Sequence, residues 1–130
     1  MHKKDFDNWN KNKKDIHNNK HRPFYKEREI WWCSLGYNIG FEQDGTGKNF
    51  DRPVIILKGF NKESTLIIPL VGKNKKGKFY FYLGIVKDRK VTALLSQIRL
   101  IDTKRLISRV DKLDLKKFKK LKTAVKKLLF

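Results

Sequence analysis

Between Gly36 and Asn49 the chain carries glycines at 36, 40, 45 and 47, the carboxylate Glu42, the amide Gln43 and the cation Lys48, and Arg52 follows. Such a stretch can bring backbone and charge close to a phosphate. Gly45-Thr46-Gly47-Lys48-Asn49 nevertheless departs from the phosphate loop of nucleotide hydrolases. That loop needs a hydroxyl after the lysine for Mg²⁺ and a glycine five residues before the second glycine. Those positions hold Asn49 and Glu42. His17 and His21 are four apart, which on a helix puts both imidazoles on one face, but no third metal ligand lies near them. All three histidines, His2, His17 and His21, precede residue 27, and no pairing of a nucleophile with a base stands out. Cys33 is the only cysteine, so an internal disulfide and a cysteine-based zinc cage are excluded.

Apolar periodicity indicates the elements that must position these groups. Residues 1–26 are polar, with a thin stripe of Phe6, Trp9, Lys13 and Ile16 at helical spacing, and predict an N-terminal helical extension that ends at Arg22-Pro23. From Glu29 the pattern is β-prone: Ile30–Leu35, Pro53–Lys58, Ser64–Val71, Lys78–Leu83 and Val91–Leu100 read as five strands. Gly72-Lys73-Asn74-Lys75-Lys76-Gly77 reads as a basic hairpin loop between the third and fourth. With no helix between the strands, a small antiparallel barrel or curled sheet is expected. Asp114 is a suitable N-cap for a final helix, along which Phe118, Leu121, Val125 and Leu128 recur at three- and four-residue steps.

The formal net charge is +19, which calls for a polyanionic partner: nucleic acid, an anionic membrane surface or an acidic protein. Residues 112–127 hold eight lysines against Asp114 as the one acid, a sequence-blind source of phosphate attraction. Hydrophobic residues make up 39% of the chain, too many for a disordered polycation. The longest apolar runs, Val54–Leu57 and Leu66–Val71, are far short of the ~18 residues that a membrane helix needs. The first twenty residues contain no secretory apolar core, so the expectation is a soluble, cytoplasmic protein.

Several pieces occur in a telling order: Ile30-Trp31; Gly40-Phe41-Glu42-Gln43-Asp44-Gly45; Arg52-Pro53-Val54-Ile55-Ile56-Leu57; Pro69-Leu70; and Leu95-Ser96-Gln97-Ile98-Arg99-Leu100-Ile101-Asp102-Thr103-Lys104-Arg105-Leu106. Together they resemble the MazF/PemK family of toxin endoribonucleases from type II toxin–antitoxin pairs. The resemblance covers residues 27–130 and leaves 1–26 outside as an extension. It implies an SH3-like barrel with a C-terminal helix, to which the N-terminal helical extension adds a second flanking helix, and also a homodimer, inhibition by an acidic antitoxin, and cleavage of single-stranded RNA without metal or other cofactor. By position, Arg52 matches the family's catalytic arginine, and Glu42 and Gln43 match the loop that helps build the RNA site. A guanidinium is a charged planar fork suited to a phosphate, and Glu42 is the nearest carboxylate for proton transfer. An ordinary surface role for Glu42 is the alternative. Gly40, Gln43, Lys48, Lys73, Lys75 and Lys76 complete the candidate RNA-contacting set.

The chain departs from the pattern at one position. The family's third strand ends Pro-Leu-Thr with a catalytic threonine, whereas this chain has Val71 followed by Gly72. Thr65 shares the strand face but is roughly 20 Å back along it, too far to stand in. Lys73, on the same face if the strand continues, is the nearest charge. A second expectation therefore stands beside the nuclease: a module of the same fold that binds nucleic acid or antitoxin without efficient catalysis.

Overall fold

The computed structural model describes residues 22–35 and 51–130. The helix expected within 1–26 and the candidate residues Gly40, Glu42, Gln43 and Lys48 lie outside the described residues, apart from 22–26, which form neither helix nor strand. In chain order the described elements are β1 (Glu29–Ser34), β2 (Asp51–Gly59), β3 (Ser64–Val71), β4 (Tyr80–Val86), β5 (Arg89–Leu94), β6 (Arg99–Asp102), β7 (Leu106–Lys112) and α1 (Leu115–Leu129). The strands run β4-β5-β3-β2-β1-β7, with β6 also on β3, and every pairing is antiparallel. The result is a curled antiparallel half-barrel closed on one side by the C-terminal helix.

Both faces of the central strands are covered, which explains why β2 reads as a continuous apolar run rather than an alternating one. Ile55 and Leu57 enter one core with Ile30, Ile68, Leu70, Ala93 and the helix residues Phe118, Leu121 and Val125. Val54 and Ile56 enter the other with Trp31, Cys33, Ile67, Ile101 and Leu106. The first face is thus the one beneath α1, and the second is the opposite one. Asp114 caps α1 by accepting a hydrogen bond from Lys117 N, as its position in the sequence leads one to expect.

The sequence expectations need correction at four points. The segment after Val71 is not a hairpin loop: β4 pairs with β5, and β5, not β4, lies beside β3. Eight residues separate β3 from β4, longer than the 2–5 that join hairpin strands and long enough to step over an intervening strand. The single strand expected over Val91–Leu100 is broken by a 3₁₀ turn at Leu95–Gln97. The break lets β5 pair with Leu70 and Val71 while β6 pairs with Ser64–Ile67 on the same edge of β3. Finally, β7 went unread, because this outer strand exposes Ile107, Ser108 and Arg109 in succession and lacks an alternating signal. Pro53 is the third residue of β2, not the first; the β2–β3 ladder begins at Val54, so the missing N–H costs that ladder nothing.

Candidate active site

Arg52 pairs with Cys33 of β1 and shares a face with Val54 and Ile56 by strand alternation, so it belongs to the second face. Its side chain is only 7% exposed, and Nη1 donates to the Leu70 carbonyl at 3.3 Å. The guanidinium therefore reaches across the start of β2 to the end of β3 and is held there rather than left to swing. Val71, 8% exposed, follows the accepting residue; it has the parity of Ile67 and faces the same way as Arg52. The register that pairs Val54 with Pro69, carried two residues further, sets Arg52 opposite Val71. The structure thus brings Arg52 and Val71 together on one face.

On its other side Val71 pairs with Thr92 of β5. The Thr92 side chain is completely buried; its hydroxyl donates to the Lys73 carbonyl and accepts from Lys75 N at 3.2 Å. One threonine therefore staples the basic segment after β3 to the sheet. β3 ends at Val71, so Lys73 is not an extension of the strand. It is an exposed side chain on the stapled turn, with Lys76 also exposed and Lys75 half-buried. The Lys75 ammonium lies 5.3 Å from the centre of the Tyr80 ring, a cation–π contact. Thr65, as expected, is no substitute for the missing hydroxyl: it donates to Lys58 O within a bulge of the β2–β3 pair.

Sequence reading missed two further arginines. Arg99 pairs with Ile67 and so faces the second side, and Arg105 donates from Nη1 to Ser34 O at 3.1 Å. Both guanidiniums act on the buried Cys33, although burial dominates and pushes that thiol up to about 12. Burial also draws Arg105 down from its ordinary value. Their only signal in the sequence was membership of the Gln97–Leu106 segment. Asp51, beside Arg52, has its carboxyl raised by burial, but strand alternation sends it to the opposite face. Ser34 and Asp51 are register partners, so the chain leaves and re-enters the sheet side by side at this end.

An open depression of about 720 Å³, lined among others by Tyr25, Phe60 and Asn61, lies at the far end of β2 and contains none of the predicted site residues. Among the described residues no cluster of three or more His, Cys, Asp or Glu could hold a metal ion, and no helix is long and apolar enough to cross a membrane.

Residues 26–129 match the family described as PemK-like, MazF-like toxin of type II toxin–antitoxin system. The chain belongs to this family. No curated protein matches its sequence. Among solved structures it is similar to an endoribonuclease in complex with its cognate antitoxin from a mycobacterial species, at 14% identity and a TM-score of 0.62, covering 82% of this chain and 95% of that one. It is similar to MazF from Deinococcus radiodurans at 16% identity, with a TM-score of 0.62 over 85% and 98% of the two chains. The Mycobacterium tuberculosis toxin MazF-mt6 gives 13% identity and a TM-score of 0.58 over 78% and 96%. At such identities these likenesses establish the MazF-like fold.

Proposed function

We propose that this MazF/PemK-family chain is the toxin of a type II toxin–antitoxin pair and cleaves single-stranded RNA by attack of a 2′-hydroxyl on the adjacent phosphate. The observation that carries this reading is the position of Arg52: nearly buried, tied to Leu70 O, and on one face with Val71 at the end of the sheet where Ser34 and Asp51 pair. In this reaction the O2′–P bond forms and the P–O5′ bond breaks; the 2′-hydroxyl proton goes to a base and O5′ receives a proton. The RNA supplies its own nucleophile, so the protein must supply proton transfer and charge stabilisation. A pre-oriented guanidinium suits the second task, since it stays charged and can donate two parallel hydrogen bonds to phosphate oxygens. Glu42 is assigned the proton-transfer role, and Gly40, Gln43, Lys48, Lys73, Lys75 and Lys76 the RNA contacts. Residues 27–130 form the catalytic domain and 1–26 an appended segment. The protein acts as a cytoplasmic homodimer restrained by an acidic antitoxin, a partner suited to a +19 surface.

A cleavage assay on single-stranded RNA in EDTA tests this. Wild type should cut, and Arg52→Ala should lower the rate by roughly 10²–10³, the scale for loss of one preorganised transition-state donor. Absence of cleavage by wild type would remove the enzyme and leave the fold. One observation favours a second reading, a binding module with impaired chemistry. Val71 brings no hydroxyl to the face of Arg52, and the nearest cross-strand hydroxyl, Thr92, is already engaged with Lys73 and Lys75. RNA binding without cleavage, insensitive to Arg52→Ala, would select that reading.

A further inference from the structure

Tyr82 pairs with Thr92, and Thr92 with Val71, so the three side chains form a row on the second face that continues toward Arg52. The face of Tyr82 is fixed by its neighbours: Phe81 and Leu83 on either side pack with the first core, beneath α1. None of the described side chains that build the second core comes from β4 or β5, so Tyr82 is half-buried at the margin of this face rather than sealed within it. Its hydroxyl has no hydrogen-bond partner among the described residues, in contrast to Tyr25, whose hydroxyl is tied to Asn61 O and Ser64 O. Between Tyr82 and Arg52 lies the turn stapled by Thr92, which presents Lys73 and Lys75. The face thus offers a guanidinium at one end of the row and an aromatic ring at the other, and the stapled turn brings the Lys75 ammonium to the ring of Tyr80, two residues before Tyr82 on β4. At about 4.8 Å per strand, Tyr82 lies roughly 14 Å from Arg52, within a few nucleotides of an extended strand.

We propose that Tyr82 is a base-stacking platform, receiving an unpaired nucleobase of the RNA whose backbone passes the Lys73–Lys75 turn and whose phosphate is held by Arg52. The assignment rests on the nuclease reading for the identity of the ligand. Alternation of phosphate-binding cations with a ring is how proteins hold single strands, because every base offers a π-face. A ring without a hydrogen-bond partner is suited to stacking. The tyrosine thereby extends the site beyond the reacting phosphate.

Binding of a non-cleavable 2′-O-methyl RNA oligonucleotide to the full-length chain tests this, alongside a series in which each nucleotide in turn is abasic. Tyr82→Ala should weaken the intact oligonucleotide roughly 5- to 150-fold, from ~1–3 kcal/mol per stacked base. It should leave unchanged the affinity for the one oligonucleotide that lacks the stacked base. Tyr82→Phe should bind like wild type, and Tyr82→Leu, which keeps bulk without a π-face, should behave like Tyr82→Ala. Equal losses across the whole abasic series would overturn the proposal, as would Tyr82→Ala binding that matches wild type while Arg52→Ala binding falls. Loss of binding to an acidic peptide with RNA binding retained would also overturn it, by assigning the ring to a protein partner. Failure of wild type to bind RNA at all would instead overturn the nuclease reading beneath it.

Discussion

A valine at the end of β3 matters because of what surrounds it. Val71 faces the side of Arg52, Leu70 accepts from that guanidinium, and Thr92 beside it is committed to the following turn. Threonine is nearly isosteric with valine, so Val71→Thr would add a hydroxyl at the arginine without rebuilding the core. We expect kcat for RNA cleavage to rise, by up to roughly 10²–10³ if that group hydrogen-bonds in the transition state. Single-turnover kinetics in EDTA measures this, and an unchanged rate would mean the departure is compensated. Cys33, in contrast, is barred from nucleophilic chemistry: it is fully buried and burial pushes its thiol up to about 12. Its ordinary value is 9.0, so the fold favours the protonated thiol. The stability this contributes is complete below pH 9 and is lost as pH rises from 9 toward 12. Over that window urea unfolding should show wild type losing up to ~1.4 kcal/mol per pH unit more than Cys33→Ala. Parallel slopes would show the folded state tolerating the thiolate.

Elements whose signal is local were legible in the sequence; those defined by distant pairing were not. β3 was read with its observed bounds, Ser64–Val71, and α1 with its cap at Asp114 and its buried Phe118, Leu121 and Val125. Arg52 and Val71 were singled out by their positions in the motif order, and the register sets them opposite each other. The insertion of β5 between β3 and β4 has no local signature: Lys78–Leu83 resembles a returning strand whichever neighbour it finds. The β4–β5 hairpin is local, and its two-residue loop, Lys87 and Asp88, has positive φ at both positions, as a type I′ turn requires. This topology is what puts the Thr92 hydroxyl over the Lys73–Lys75 turn. Thr92→Val keeps the shape and removes both hydrogen bonds, so it should cost ~1–3 kcal/mol in chemical denaturation. It should also weaken RNA binding by releasing Lys75 from its place at Tyr80. Full stability with intact binding would show the turn to be held by other contacts.

At the scale of the molecule, charge and site fall on different sides. Phe118, Leu121 and Val125 pack α1 on the first face, whereas Arg52, Val71 and Thr92 belong to the second. The exposed lysines of the helix, including Lys116, Lys119, Lys120, Lys126 and Lys127, therefore point away from Arg52. Their place in the proposed function is long-range attraction, which raises the association rate and fades beyond the Debye length of about 8 Å at physiological salt. Changing these five lysines to glutamine leaves α1 intact, since glutamine is as good a helix former as lysine and the core side is untouched. The association rate of single-stranded RNA should fall at low salt and converge with wild type as salt rises. The dependence of log K on log salt should keep its slope nearly unchanged, because each phosphate contact truly lost would reduce it by roughly 0.7. The single-turnover cleavage rate of bound RNA should not change. A slope that drops by several such steps would place RNA on the helix itself, and the two faces would then be parts of one wrapped interface.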